Sequence, residues 1–581
     1  MHKNNSSVIR LFSYAPETKM AVINAFLLTI IGTALSLTSP ILNGRVIDVI
    51  TSNIKSQGLV DTSIVIPLII IICVIRIMQF LSDVLQRLLM VLVTTRITKN
   101  LRAHLFKKLD RLPMSYFFNN STGDTMSRIT NDVDIVNQNL TQCTVNMAGS
   151  VVTIIAALVV MLMFDGFLTL VCIGFNIVQI TVVSIVALKS SKYYSSQMES
   201  LGQVNGYIEE NYSAHEIVMA YNAKEKALRR FLDINGYLKK AAFNAQVISG
   251  FAVPLATAFT YLSTMLLLLI GVTLSLDGSR TLGLVITFIG FNNCLTTPVN
   301  SLIQSLQPLI STKAALSRIF ELSDEKEIEK DSENTLPDTI SGAVRFDHVK
   351  FGYTDDCIII KDFSEFIKPG QKAAIVGPTG AGKSTLINLL MRFYEVDGGS
   401  ISIDEIDITS VSRKSLRDKV SIVLQEPWVF EDTIRENLTF GKDEYDDKAI
   451  EAALKAVGLD YLVSTLPDKY DTVLDEHISL STGQRQQLCI ARAIVADKPI
   501  VILDEATSSI DTRTEIAIQR AMDKLMEGRT SFVIAHRLST IVNADVILVL
   551  KDGDICESGN HKELLEKKGM YYELYHSQFE N

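Results

Sequence analysis

This chain is poor in the features that build disulfide scaffolds, zinc sites and nucleic-acid binders. Its seven cysteines (Cys73, Cys143, Cys172, Cys294, Cys357, Cys489 and Cys556) include no CxxC pair and no metal-ligand spacing, which excludes a disulfide framework and a zinc site. Four of them lie in apolar stretches, where a thiol acts as a small hydrophobe. Positive charge is short as well, with 55 Lys and Arg against 64 Asp and Glu and a formal net charge of -9. General binding to nucleic acid needs a basic surface, so that class is set aside.

Apolar sequence is abundant instead. Hydrophobic residues make up 48% of the 581, the mean hydropathy is positive, and a chain of this length needs at least two cores. The excess sits in the first half, while the second half reads as a charged soluble domain. A hydrocarbon core about 30 Å thick takes about 20 apolar residues at ~1.5 Å each. Uncharged stretches of that order cover 21–44, 135–164, 166–188, 241–276 and 281–312. A sixth opens at Thr62, meets Arg76 and continues past Asp83. Six spans are expected, because soluble cores rarely hold apolar runs of this length. Residues 1–20 are charged and polar and read as an amphipathic elbow at the membrane surface, leaving insertion to the spans.

Basic residues set the orientation. The second-to-third connection carries Arg96, Lys99, Arg102, Lys107, Lys108, Arg111 and Arg128, and the fourth-to-fifth carries eight more between Lys189 and Lys240. The other three connections carry only Arg45, Lys55 and Arg280. Both termini and the soluble half are therefore expected in the cytoplasm, on a multi-pass protein of the plasma membrane. The two basic connections are rich in helix formers, so the helices are expected to run well beyond the bilayer. Residues 313–342 turn polar and acidic and read as a linker, which places the membrane domain at 21–312 and the soluble domain at 343–581.

The sharpest motif is Gly377-Pro378-Thr379-Gly380-Ala381-Gly382-Lys383-Ser384, set between an apolar strand and an apolar helix opening at Thr385. Glycines let backbone N–H groups curl around phosphates, and the helix N-terminus adds a positive dipole. Lys383 is expected to reach the β- and γ-phosphates and Ser384 to ligate Mg²⁺. Downstream, an apolar strand ends in Asp504-Glu505. Ligands bind at the carboxyl ends of such strands. Asp504 is expected to hold Mg²⁺ through water, and Glu505 to polarise the attacking water as general base.

Between these motifs lies Leu480-Ser481-Thr482-Gly483-Gln484, which resembles the LSGGQ-like signature of the ABC ATPase family. Tyr353 resembles that family's adenine-stacking aromatic, and Gln425 its Mg²⁺-sensing glutamine at the membrane-domain contact. Ser508 to Asp511 resembles its cross-dimer loop and His536 its γ-phosphate switch. Residues 112–118 (LPMSYFF), 122–134, 205–210, 220–225 and 318–322 (RIFEL) resemble the membrane half of ABC exporters. The resemblance covers the whole chain. It implies an α-helical polytopic membrane domain with six transmembrane helices plus an α/β P-loop ABC ATPase domain. It further implies ATP and Mg²⁺ as ligands and short cytoplasmic helices that dock on the ATPase. Trp428, the one tryptophan, is expected to pack near that contact.

In such a family two ATPase domains close head to tail, so that Ser481, Gly483, Gln484 and Asp511 serve the partner's nucleotide. A dimer of half-transporters follows. Thr482 stands where the pattern has glycine, and a Cβ beside a partner's phosphate favours a heterodimer over a homodimer. The cargo implied is an amphipathic small molecule, drug or lipid-like, moved outward. An exporter-fold importer, as for siderophores, and an ATP-gated regulator are the alternatives. Arg76, roughly 21 Å along its helix from Thr62 at ~1.5 Å per residue, either meets cargo or snorkels to the interface. Asn292, Asn293, Gln304 and Gln307 either line a cavity or join helices.

Overall fold

In the computed structural model the described residues are 7–57, 60–354, 357–441, 445–475, 478, 480–504, 512–534 and 541–579. They form two compact units, one of Met1–Arg111 with Asn120–Glu325, the other of Leu112–Asn119 with Lys326–Asn581.

Up to Asp324 the chain is helical: α1 (Ser7–Phe12), α2 (Lys19–Gln57), α3 (Thr62–Leu109), α4 (Met114–Asn119), α5 (Thr122–Ile129), α6 (Asn131–Phe164), α7 (Gly166–Ser213), α8 (His215–Ala220), α9 (Lys224–Gly250), α10 (Ala252–Leu276) and α11 (Leu282–Asp324). Six helical stretches are long and apolar enough to cross a membrane, matching the six expected. At 48 residues each, α3 and α7 run about 72 Å, more than twice a hydrocarbon core. Asp165 starts α7 by accepting hydrogen bonds from Phe167 N and Leu168 N, and Thr281 starts α11 by accepting from Leu284 N.

Polar side chains join the spans. Gln86 donates to Thr29 at 2.7 Å. Asn292, fully buried, accepts from Asn176 at 3.2 Å and Ser263 at 3.3 Å, so it links α11 to α7 and α10 rather than facing open space. Asn293 and Gln304 are both exposed, while the side chain of Gln307 lies outside the described ones. Arg76 is exposed and donates to Gln79 on its own helix at 3.0 Å. The N-terminal segment is fastened to the far ends of α3 and α11: Arg10 pairs with Asp324 at 2.6 Å, and Asn100 donates to the Tyr14 carbonyl at 2.8 Å. Helix α11 itself continues to Asp324, through the first part of the 313–342 stretch.

The second unit is built on ten strands: β1 (Val344–Thr354), β2 (Cys357–Ile367), β3 (Lys372–Val376), β4 (Gly398–Ile403), β5 (Ile406–Asp407), β6 (Val420–Val423), β7 (Ile500–Asp504), β8 (Thr530–Ile534), β9 (Val546–Lys551) and β10 (Asp554–Gly559). Their order is β5-β4-β1-β2-β10-β9-β3-β8-β7-β6. From β9 to β6 the pairing is parallel. Strands β3, β7 and β8 are apolar and buried along almost their whole length, as parallel strands covered on both faces must be. Around them lie α12 (Lys383–Leu390), α13 (Arg413–Arg417), α14 (Ile434–Thr439), α15 (Asp447–Val457), α16 (Asp460–Thr465), α17 (Thr482–Ala496) and α18 (Thr512–Met526). The short helix α4, which the chain order puts between two spans, clusters with this unit. The Phe118 ring lies 6.2 Å from that of Tyr394.

Candidate nucleotide site

The phosphate-loop segment leaves the end of β3 and turns directly into α12. Gly380 and Gly382 adopt φ of +85° and +97°, a region that favours glycine. At Gly377 a Cβ would stand 2.3 Å from the Leu550 carbonyl oxygen. Pro378, Thr379 and Gly380 form the exposed crown, whereas Ala381 and Gly382 are buried beneath it. The free N–H groups of the first turn of α12 open onto this loop, a favourable place for an anion.

Lys383 folds back over the loop, its Nζ donating to the carbonyls of Gly377 at 2.7 Å and Pro378 at 2.9 Å. Burial pulls its pKa below the ordinary lysine value, and the charge of Asp504 opposes that shift. Ser384 is exposed at the mouth, and Thr385 is buried with its hydroxyl 3.2 Å from the Tyr353 hydroxyl. Asp504 closes β7. Gln425 follows the end of β6 with its side chain exposed. Lys383, Asp504 and Gln425 thus gather at the carboxyl ends of parallel strands, the edge where such sheets bind ligands.

Among the described residues no group of three or more His, Cys, Asp or Glu could hold a metal by itself. The donors present are hard oxygens, the Ser384 hydroxyl and the Asp504 carboxylate. That set suits Mg²⁺, which is held by one or two protein oxygens together with phosphates.

Tyr353 lies at the end of β1, 47% exposed. Its ring meets Phe351 at 5.1 Å and Tyr394 at 5.2 Å, both T-shaped. Tyr394 was not legible beside Tyr353, because a Phe-Tyr pair beyond the end of α12 looks like any core aromatics. A latch holds its turn: Arg392 donates to Glu395 and to the carbonyls of Ile408 and Val411, and Arg413 pairs with Glu395 and Asp331.

Ser481 caps α17, accepting from Gln484 N at 3.2 Å while the Gln484 side chain accepts from Ser481 N at 2.9 Å. This capping box aims the helix N-terminus outward. Thr482 opens the helix with its side chain exposed and without a positive φ, so the chain's own backbone does not demand glycine there. Gly483 is buried. Trp428 is 68% exposed, its carbonyl accepting from Arg492. Glu505, Asp511 and His536 lie outside the described residues.

Two family descriptions match in tandem, the ABC transporter transmembrane region over residues 22–299 and ABC transporter over residues 360–508. An uncharacterized ABC transporter ATP-binding protein of Bacillus subtilis, YfiC, is 38% identical over 98% of this chain and 94% of its own length. The fatty acid ABC transporter ATP-binding/permease protein of Mycobacterium tuberculosis is 40% identical over 84% of this chain and 78% of its own. Among solved structures, a bacterial Atm1-family ABC exporter with ATP bound is 27% identical with a TM-score of 0.77, over 97% of this chain and 98% of that one. The chain belongs to the ABC transporter family, as a multi-pass membrane protein of the exporter half-transporter kind with a cytoplasmic ATP-binding domain.

Proposed function

We propose that this chain is one half of a dimeric exporter that hydrolyses ATP to drive amphipathic small molecules, drugs or fatty-acid-like lipids, out of the cell. The observation that carries the reading is the joining, in one polypeptide, of a glycine-built phosphate loop to six membrane-spanning helices. Fatty acid transport in the mycobacterial relative's name and probable multidrug resistance in that of a Bacillus subtilis relative, 32% identical over 85% of this chain, support the cargo class.

In this reading Tyr353 stacks on adenine and the 377–385 loop wraps the phosphates. Lys383 neutralises phosphate charge, and its lowered pKa reflects a charge held partly out of water. Ser384, Gln425 and Asp504 would hold Mg²⁺, which supplies charge stabilisation for the phosphoryl group. Glu505 polarises the attacking water and His536 contacts the γ-phosphate. Ser481, Gly483, Gln484 and Asp511 serve the nucleotide of the second half-transporter. ATP binding favours the closed dimer, hydrolysis releases it, and the long helices carry that two-state bias to the spans.

The partner is proposed to be a different half-transporter. Since the Thr482 side chain is exposed in its own chain, the cost of its Cβ is proposed to arise against the partner's phosphate. The direct test is reconstitution in proteoliposomes with a fluorescent fatty acid and a cationic dye as cargo. ATP-dependent movement out of the leaflet facing the ATPase, abolished by Lys383→Ala, is expected. Movement in the opposite direction would establish an importer, and hydrolysis without movement of either cargo would leave a regulator.

A further inference from the structure

Arg45, Lys55 and Arg280, the three basic residues on the outer-side connections, are far apart in sequence yet line a single cavity of about 850 Å³. It lies between the end of α2 and the turn from α10 to α11. Its floor is rigid. Gly44 and Gly283 cross so closely that a Cβ on either would stand 2.3 Å and 2.1 Å from the other's carbonyl oxygen. Asp48 bolts this crossing, accepting from Gly283 N at 2.8 Å and from the Thr281 hydroxyl at 2.9 Å.

Two of the three nearby acids are committed, and the third, Asp277, is exposed beside Gly278. Asp48 is spent on the crossing, and Asp165, whose side chain is 4% exposed, holds the Arg280 guanidinium and caps α7. Among the described residues Arg45 and Lys55 form no ion pair, and both open into the cavity. Val272, Leu276 and Leu282 give the opposite wall an apolar surface. An outer face that otherwise excludes Lys and Arg thus gathers all three beside apolar side chains.

We propose that this cavity binds the acidic headgroup of a single amphipathic anion. A carboxylate or phosphate would take charge-assisted hydrogen bonds from Arg45 and Lys55, Arg280, neutralised by Asp165, would serve as a fixed wall, and the chain would lie along Val272, Leu276 and Leu282. An outer-leaflet phospholipid and an acidic cargo on its way out share this chemistry. The inference does not depend on the cargo reading above.

The test uses the full-length protein in phosphatidylcholine nanodiscs, titrated with spin-labelled phosphatidylglycerol, spin-labelled fatty acid and their uncharged counterparts. Wild type is expected to prefer the anionic probes. The double variant Arg45→Gln with Lys55→Gln should lower that preference roughly tenfold or more, since a basic residue near a membrane surface is worth about fivefold. Arg45→Lys with Lys55→Arg, which keeps both charges, should hold the preference and report on folding. Basal ATP hydrolysis in pure phosphatidylcholine should be the same in all three. Loss confined to phosphatidylglycerol identifies a bilayer lipid, and loss for the fatty acid, with slowed efflux of that probe in proteoliposomes, identifies cargo. A wild type without anionic preference, or a neutral double variant that retains it, overturns the proposal.

Discussion

Tyr394 stands at 83° to Tyr353, the two ring centroids 5.2 Å apart. The same ring meets Phe351 at 5.5 Å and Phe118 of α4 at 6.2 Å, so one tyrosine joins the proposed adenine platform to the short helix from between the second and third spans. Its hydroxyl is buried with no hydrogen-bond partner among the described residues, and burial pushes its pKa up to about 12. A buried hydroxyl without a partner costs about 1–3 kcal/mol. Tyr394→Phe should therefore match or exceed wild type in melting temperature. Tyr394→Ala should cost about 3 kcal/mol and raise the KM for ATP several-fold by freeing the Tyr353 ring. Equal damage from both substitutions would show that the hydroxyl, and not the ring, matters.

Lys383 and Glu505 should separate binding from chemistry. Lys383→Ala is expected to cut ATP affinity without lowering the stability of the nucleotide-free protein, because it removes a charge that burial already disfavours. Glu505→Gln should keep ATP affinity while turnover falls roughly 10²–10⁴-fold, the range for loss of a general base. Binding by fluorescent ATP alongside steady-state hydrolysis distinguishes the two. Near-normal turnover in Glu505→Gln would falsify its assignment as the base.

Thr482 lies on an exposed, unstrained first turn of α17. Thr482→Gly should hence leave the unfolding free energy within about 1 kcal/mol of wild type, the usual cost of glycine in a helix. With a different partner half, the chain purified alone should hydrolyse ATP poorly and recover on co-expression. Vigorous, cooperative hydrolysis and transport by the chain alone would instead establish a homodimer.

His561 supplies a pH test. Its Nδ1 lies 2.7 Å from the Tyr571 hydroxyl, and burial, aided by Lys562, lowers its pKa below 6.5. The unfolded chain then binds the proton more tightly. Stability from this group is complete above pH 6.5 and is lost as pH falls through the folded-state value. Between pH 7.5 and 5.5, His561→Gln should lose less melting temperature than wild type. Identical slopes would mean that His561 titrates alike in both states.

Much of this protein was written locally. The spans follow from apolar run length against bilayer thickness, and their direction from where Lys and Arg fall between them. The phosphate loop follows from glycine spacing between a strand and a helix, because backbone freedom and helix dipoles are properties of neighbours in the chain. The tertiary structure alone decided that α4 joins the nucleotide-binding unit, that Tyr394 backs Tyr353, and that Arg45, Lys55 and Arg280 share one cavity. It also decided that Asn292 joins helices and that the Thr482 side chain is exposed. Each of these depends on which distant side chains packing brings within a few ångströms. A residue's own chemistry and its near neighbours carry no record of that, since the same arginine or tyrosine suits many partners until the fold selects one.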